Sequence, residues 1–434
     1  METMMSLQPE TVPSSETVPP VDTVPVAVGR RVPSDLRRLF YSSPWMAAVA
    51  PVATSTAAYF LAIQVQLLEG NAKVGSLAVV NALASAAAML TQPIVGVLSD
   101  RTRSRFGARR PWMLIGAVIG AVALVTAGLS PNLAVLTVAA MALQFGFNAF
   151  QGPFSALMPD RVPERFRGRY ATGTGLGIIL GAVLGPVVGS LFVDRLLVGY
   201  TAVAGIALLA VVVFLLLVPE ADNRSEPRRP FAPRAFIAAF WVNPVKYPDF
   251  FWGFLGRILL FGSYAMLNTY SLYLAQDYIG LSLAEATRIV PMIMLVSLPG
   301  IIIAAAVAGP LSDRMGRRKP IVLVSGLAIA LGAVIPFAVP TVIGLTVSTI
   351  VVAAGFGAYA AVDQALMSSV LPNPEDHGKD LGVLNIAASL PYTIAPVIAG
   401  GVVLATGGYA ALYPVVGVVG IIGALAVLPI RGVR

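Results

Sequence analysis

The chain has 434 residues, 57% of them hydrophobic and only 12% charged, with a formal net charge of +8, no cysteine and one histidine, His377. Soluble domains carry roughly 25% charged residues, so water is not the main solvent here. Disulfide frameworks, thiol chemistry and His/Cys metal clusters are all excluded. No cofactor or metal is expected.

Residues 1–40 form a polar tail with Thr-Val-Pro at 11, 17 and 23. Proline and serine at that density cannot bury a core, which predicts disorder. The tail does not read as a secretory leader, because the first apolar stretch begins only near Trp45. Arg30, Arg31, Arg37 and Arg38 precede that stretch and are expected to hold the N-terminus in the cytoplasm.

Twelve apolar spans follow, at about 45–68, 74–98, 112–130, 133–157, 171–193, 199–218, 250–276, 289–311, 321–339, 341–369, 383–405 and 408–430. Each is long enough to cross about 30 Å of hydrocarbon as a helix. Backbone groups in lipid must bond internally, so helices are expected rather than open strands. With the N-terminus inside, 25 of the 29 Lys and Arg residues fall in cytoplasmic segments. Lys73, Arg195 and Arg288 lie outside, and Arg257 lies within a span. One missed span would scramble this alternation, so both termini are expected inside. The positive charge therefore has a membrane explanation, and no nucleic-acid partner is expected.

The spans divide into two halves. Gly-Val-Leu-Ser-Asp-Arg at 96–101 recurs as Gly-Pro-Leu-Ser-Asp-Arg at 309–314, 213 positions later. A knot of basic residues follows each copy, ending at Arg110-Pro111 and at Lys319-Pro320. Pro159 and Pro372, and likewise Gln151 and Gln364, share the 213-residue offset. This predicts an all-α membrane protein with six-helix bundles at 41–218 and 249–434, joined by a cytoplasmic linker at 219–248. A membrane chain of two similar halves is the pattern of a transporter with its site between the repeats.

The two knots resemble the signature loop of the major facilitator superfamily, Gly-x-x-x-Asp-Arg-x-Gly-Arg-Arg. The second copy fits without interruption through Gly309, Asp313, Arg314, Gly316, Arg317 and Arg318. The first, through Gly96, Asp100, Arg101, Gly107, Arg109 and Arg110, carries four extra residues before Gly107. The resemblance implies a conformational gate at these residues; the plainer alternative is a topology anchor made of positive charge. The stretch Ser99–Pro111, with Gln92-Pro93 ahead of it and Asn148-Ala-Phe-Gln-Gly-Pro153 in span 4, is similar to sucrose–proton symporters and the wider glycoside–pentoside–hexuronide group. That similarity implies a sugar or glycoside as substrate and a proton as coupling ion. The chain departs from it at Gln144, where sucrose symporters carry an aspartate, so span 4 has no proton acceptor.

Ionisable groups inside the spans are expensive and mark function. Arg257 in span 7 and Asp363 in span 10 are expected at similar depth. Asp363 lies nine residues before Pro372, or roughly 13 Å at 1.5 Å per residue. Asp363 is expected to carry the coupled proton, with Arg257 competing for it or holding a substrate oxygen; the alternative is a static ion pair. Substrate-binding candidates are Gln64 in span 1, Gln144, Asn148 and Gln151 in span 4, Asn268 and Tyr270 in span 7, and Arg257. Gln144, Asn148 and Gln151 share one helix face, although hydrogen bonding between helices would also explain such a stripe. No catalytic constellation is present, so an enzyme is not expected. The expected partners are a small-molecule substrate, a proton and the lipid bilayer, for a monomer in the cell membrane. A proton-driven exporter of a drug or natural product is the alternative, and a non-transporting receptor is the alternative of another class.

Overall fold

The computed structural model describes residues 36–225, 245–370 and 377–431. Most of the expected tail, residues 226–244 of the expected linker and residues 371–376 lie outside the described residues. Twelve long helices run through the rest: α1 Arg37–Glu69, α2 Lys73–Arg101, α3 Arg110–Gly128, α4 Leu133–Arg161, α5 Glu164–Ser190, α6 Leu196–Leu217, α7 Pro248–Thr269, α8 Leu283–Met315, α9 Lys319–Ala338, α10 Val342–Ser369, α11 His377–Thr406 and α12 Leu412–Leu425. Among the described residues, nine apolar stretches are long enough to cross a membrane, one of them running through both α1 and α2; α11 and α12 add the shorter apolar segments Leu390–Thr406 and Leu412–Leu425.

The helices outrun the apolar spans at several ends. α1 begins at Arg37 rather than near Trp45, and α8 extends from Leu283 to Met315. Apolarity reports the thickness of hydrocarbon, whereas a helix ends where its backbone is capped. Asn132, Ser282 and Thr341 cap α4, α8 and α10, Ser282 through a capping box with Glu285. Pro occupies the first turn of α3, α7 and α9, where its missing N–H costs nothing.

Within the first bundle α1 packs on α5, α3 on α4 and α6, and α2 on α4; in the second, α10 packs on α8 and α9, and α12 on α7 and α9. The bundles meet where α2 packs on α11 and α5 on α8. Large apolar side chains such as Leu209, Leu216, Val324 and Leu331 stay exposed on α6 and α9, as expected of faces solvated by lipid.

Small residues set how closely the helices approach. Gly177, Gly181, Gly185 and Gly189 line α5 at intervals of four, against α1. A Cβ at Gly181 would press on the Ala48 carbonyl and lie 3.0 Å from Pro51 Cβ. Thr56 Oγ1 donates to the Gly185 carbonyl at 2.8 Å across the same seam. Lipid supplies no hydrophobic drive between helices, so this contact is the stabilising term. Gly181→Leu is expected to cost about 1–3 kcal/mol by overpacking, read as a lower unfolding temperature in detergent; an unchanged temperature would show that the seam yields.

Candidate functional site

Two helical stripes face each other inside the second bundle. On α7, Arg257, Phe261, Tyr264 and Asn268 recur every three or four residues, and on α10 so do Phe356, Tyr359 and Asp363. Their deep ends carry the charges. Arg257 Nη2 lies 3.4 Å from Asp363 Oδ2, and Tyr359 donates its hydroxyl to Asp363 Oδ1 at 2.8 Å. Asp363 is 2% exposed and Arg257 7%. The guanidinium also sits over the Phe261 ring, 5.4 Å from its centroid. Among the described residues Arg257 Nε finds no acceptor. Beside it, a cavity of about 10 Å³ runs between α7, α9, α10 and the end of α12, reaching Leu260, Val322, Tyr359 and Val427. That is about the space of one water. The pair anticipated from the sequence thus forms, but within the body of the bundle, with aromatic rings alongside. Tyr264 stacks on Phe356 at 4.0 Å, and Phe261 makes edge contacts with Phe356, Tyr359 and Tyr392. Tyr392 is 41% exposed.

In the first bundle the polar groups gather on α2 and α4. Asn148 donates to the Gln144 carbonyl at 2.8 Å and accepts from Gln92 Nε2 at 3.0 Å. Gln151 reaches Ser155 Oγ at 3.4 Å. All of Gln92, Gln144, Asn148 and Gln151 are half-buried, so the stripe keeps unspent donors and acceptors. Gln92 belongs to it although it was not among the residues singled out for binding; its only sequence signal was the Gln-Pro pair.

Two expected binding residues point elsewhere. Gln64 is 8% exposed, donates to the Ala127 carbonyl at 2.9 Å and accepts from Tyr200 at 2.7 Å. It ties α1 to α3 and α6, so its hydrogen-bonding capacity serves the bundle. Tyr270 is fully buried and donates to the carbonyls of Pro396 and Val74, at 3.0 and 3.3 Å. It joins α7 to α11 and α2. Asn268 is half-buried and donates to the Tyr264 carbonyl on its own helix.

The two arginine knots hold parallel positions. Arg109 pairs with Asp100 and, at 3.2 Å, with Asp160, which joins the ends of α2 and α4. Arg110 donates to the Leu215 carbonyl at the end of α6 at 2.6 Å. In the second copy Arg318 bonds to the Ala365 carbonyl and Ser369 on α10, while Lys319 reaches the carbonyls of Leu428 and Ile430 past α12. Each knot binds carbonyls at the ends of its own bundle's helices, where positive charge is favoured, and the first binds carboxylates as well. Arg101 closes α2, Gly316 gives α8 a left-handed cap at φ 58°, and Asp313, Arg314 and Arg317 are exposed. A Cβ on Gly96 or Gly309 would meet nothing within 4 Å.

The extra residues of the first knot also have a use. Asn223, just past α6, accepts from the Ser104 N–H at 2.9 Å and donates to the Thr102 carbonyl at 3.0 Å. Glu220 accepts from the N–H groups of Arg109 and Arg110, at 3.0 and 3.2 Å, at the start of α3. Hydrogen bonds from Arg224 hold the exposed Asp222 carboxyl below its ordinary range. Gly107, at φ +84°, lies against Glu220, whose carboxyl occupies the place of a Cβ. Gly107→Ala should therefore lower stability by at least the 1–2 kcal/mol of a left-handed backbone. Equal unfolding temperatures for the variant and its parent would contradict this.

A family model described as the Major Facilitator Superfamily matches residues 45–308 and 292–433. Among curated proteins, the general alpha-glucoside permease of Schizosaccharomyces pombe is 47% identical over 45 residues, covering 10% of this chain and 8% of its own length. The sucrose transport protein SUT1 of Oryza sativa subsp. japonica is 33% identical over 96 residues, covering 17% and 18%. The chain thus matches less than a fifth of either relative's length. The fold is similar to a crystal structure of a D-xylose-proton symporter, with TM-score 0.66, 17% identity and 92% and 98% of the two chains covered. It is also similar to a POT family transporter in complex with a thioalcohol-conjugated peptide, with TM-score 0.70, 14% identity and 90% and 95% covered.

Proposed function

The chain belongs to the major facilitator superfamily, and from that premise we propose that it is a secondary transporter carrying a sugar or glycoside together with a proton. The observation that carries this reading is the half-buried amide row Gln92, Gln144, Asn148 and Gln151 on α2 and α4. Amides both donate and accept, as a ring of hydroxyls requires, and the row is uncharged, as suits a neutral solute. Tyr264 and Tyr392 on the second bundle offer ring faces for the apolar side of a sugar. The names of the short-range relatives agree with that chemistry.

Asp363 is the coupling carboxylate in this mechanism. In the state described it is held by Tyr359 and Arg257. Protonation would release Arg257, whose Nε is already unspent, toward a substrate oxygen. The arginine knots face the cytoplasm of the cell membrane, as anchors and as the gate on that side. The protein acts as a monomer. Alternating access then rocks one bundle against the other.

Counterflow of labelled sugars into preloaded liposomes tests the substrate class without any proton gradient. Asn148→Leu removes the centre of the row and is expected to lower sugar counterflow at least tenfold, the loss of about 1.4 kcal/mol of binding. Unchanged counterflow would place the substrate elsewhere. Export of an amphipathic compound is the second reading, favoured by Gln144 in place of a carboxylate and by the aromatic wall of Phe261, Tyr264 and Phe356.

A further inference from the structure

Asp363 is 2% exposed, and its two carboxylate oxygens are engaged by Tyr359 and Arg257. A proton that reaches it in this state has to come through one of those partners. Arg257 is a poor relay, because a guanidinium only donates and keeps its protons at any ordinary pH. The Tyr359 hydroxyl both donates and accepts, and it already donates to Asp363 Oδ1 at 2.8 Å.

Tyr359 and Arg257 both line the small cavity inside the second bundle. Glycines make the room for it. Gly253 and Gly256 on α7 leave their faces of the cavity without side chains, and a Cβ at Gly256 would lie 3.0 Å from the Gly423 carbonyl of α12. The cavity reaches from Arg257 toward the end of the bundle that carries the second knot, where Val427 and Ile430 form its wall. The segment past α12 is pinned there. Lys319 donates to the Ile430 carbonyl, and the Arg431 N–H donates to Asp249 Oδ1 at 2.9 Å. The space suits one water, which needs at least two polar partners. Arg257 Nε is buried without an acceptor among the described residues, a costly state that a water corrects. The Tyr359 oxygen is free to accept from the same water.

We infer that one water held by Arg257 Nε, together with the Tyr359 hydroxyl, forms a relay that carries the proton to and from Asp363 through the body of the second bundle, apart from the amide row on α2 and α4. In uptake the water gives a proton to the Tyr359 oxygen while Tyr359 passes its own to Asp363 Oδ1. A proton arriving from the knot end restores the water, and release runs the same bonds in reverse. Tyr359 is neutral before and after. The inference rests on the proposed role of Asp363 for its purpose.

Two conservative variants cut the relay at different points. Tyr359→Phe removes the hydroxyl and keeps the ring. Val427→Leu adds a methylene to the cavity wall, displaces the water and leaves the bond from Tyr359 to Asp363 in place. Infrared spectroscopy after a light-triggered release of protons follows the carboxyl band of Asp363, assigned by its loss in Asp363→Asn. The band should rise at least tenfold more slowly in both variants than in the parent and reach the same final height. A rise at the parent's rate in either variant overturns the relay. So does a lowered final height, which would make these residues structural, or a parent that shows no such band. This readout needs no solute. The expected slowing in a parent without sugar counterflow would overturn the transport reading and leave the relay standing, whereas counterflow with an unslowed band would do the opposite.

Discussion

Asp363→Asn is expected to abolish proton-driven accumulation while leaving solute exchange in place. With one proton per solute, a pH difference of about one unit supports roughly tenfold accumulation. The variant should therefore fall about tenfold, to an equal concentration on both sides. Asparagine keeps an oxygen for the Tyr359 hydroxyl, which in the parent donates to Asp363 at 2.8 Å, and nearly preserves the volume. What it removes is the ability to take up and release a proton. Liposome uptake under an imposed pH gradient, set beside counterflow without one, separates the two functions. Accumulation at the parent's level would leave Arg257 and Asp363 as a structural pair and move coupling elsewhere.

Removing the other partner should also act on stability. Arg257→Leu leaves the Asp363 carboxylate 2% exposed and without its counter-charge. Breaking a buried ion pair from one side costs about 3–5 kcal/mol. Replacing both residues with leucine should be far milder, because no charge is then stranded. Thermal unfolding of the three proteins in detergent gives the comparison. If the double variant were as unstable as Arg257→Leu, the loss would come from shape rather than charge, and the pair would not be coupled electrostatically at the observed 3.4 Å.

How far the sequence could be read depended on the physics behind each signal. The helix count was tested by basic residues that gather in every second connection, a constraint over the whole chain, and twelve long helices are found among the described residues. The glycine row of α5 was legible because an interval of four marks one face, and α1 lies against it. Rotation was harder to read. Gln64 and Tyr270 were expected to bind substrate, but helical periodicity does not say which face looks inward, and both turned toward neighbouring helices. Glu220 and Asn223 had no local signal, since their partners lie in the loop between α2 and α3 more than a hundred residues away.

The most direct test of sugar–proton symport is to place the purified protein in liposomes with a trapped pH dye and add sugars, glycosides and amphipathic compounds in turn. Acidification of the lumen on adding a sugar, absent from protein-free liposomes and lost in Asp363→Asn, is the result predicted here. Silence toward every sugar, with proton movement on adding an amphipathic compound, would contradict the symport reading and identify an exporter.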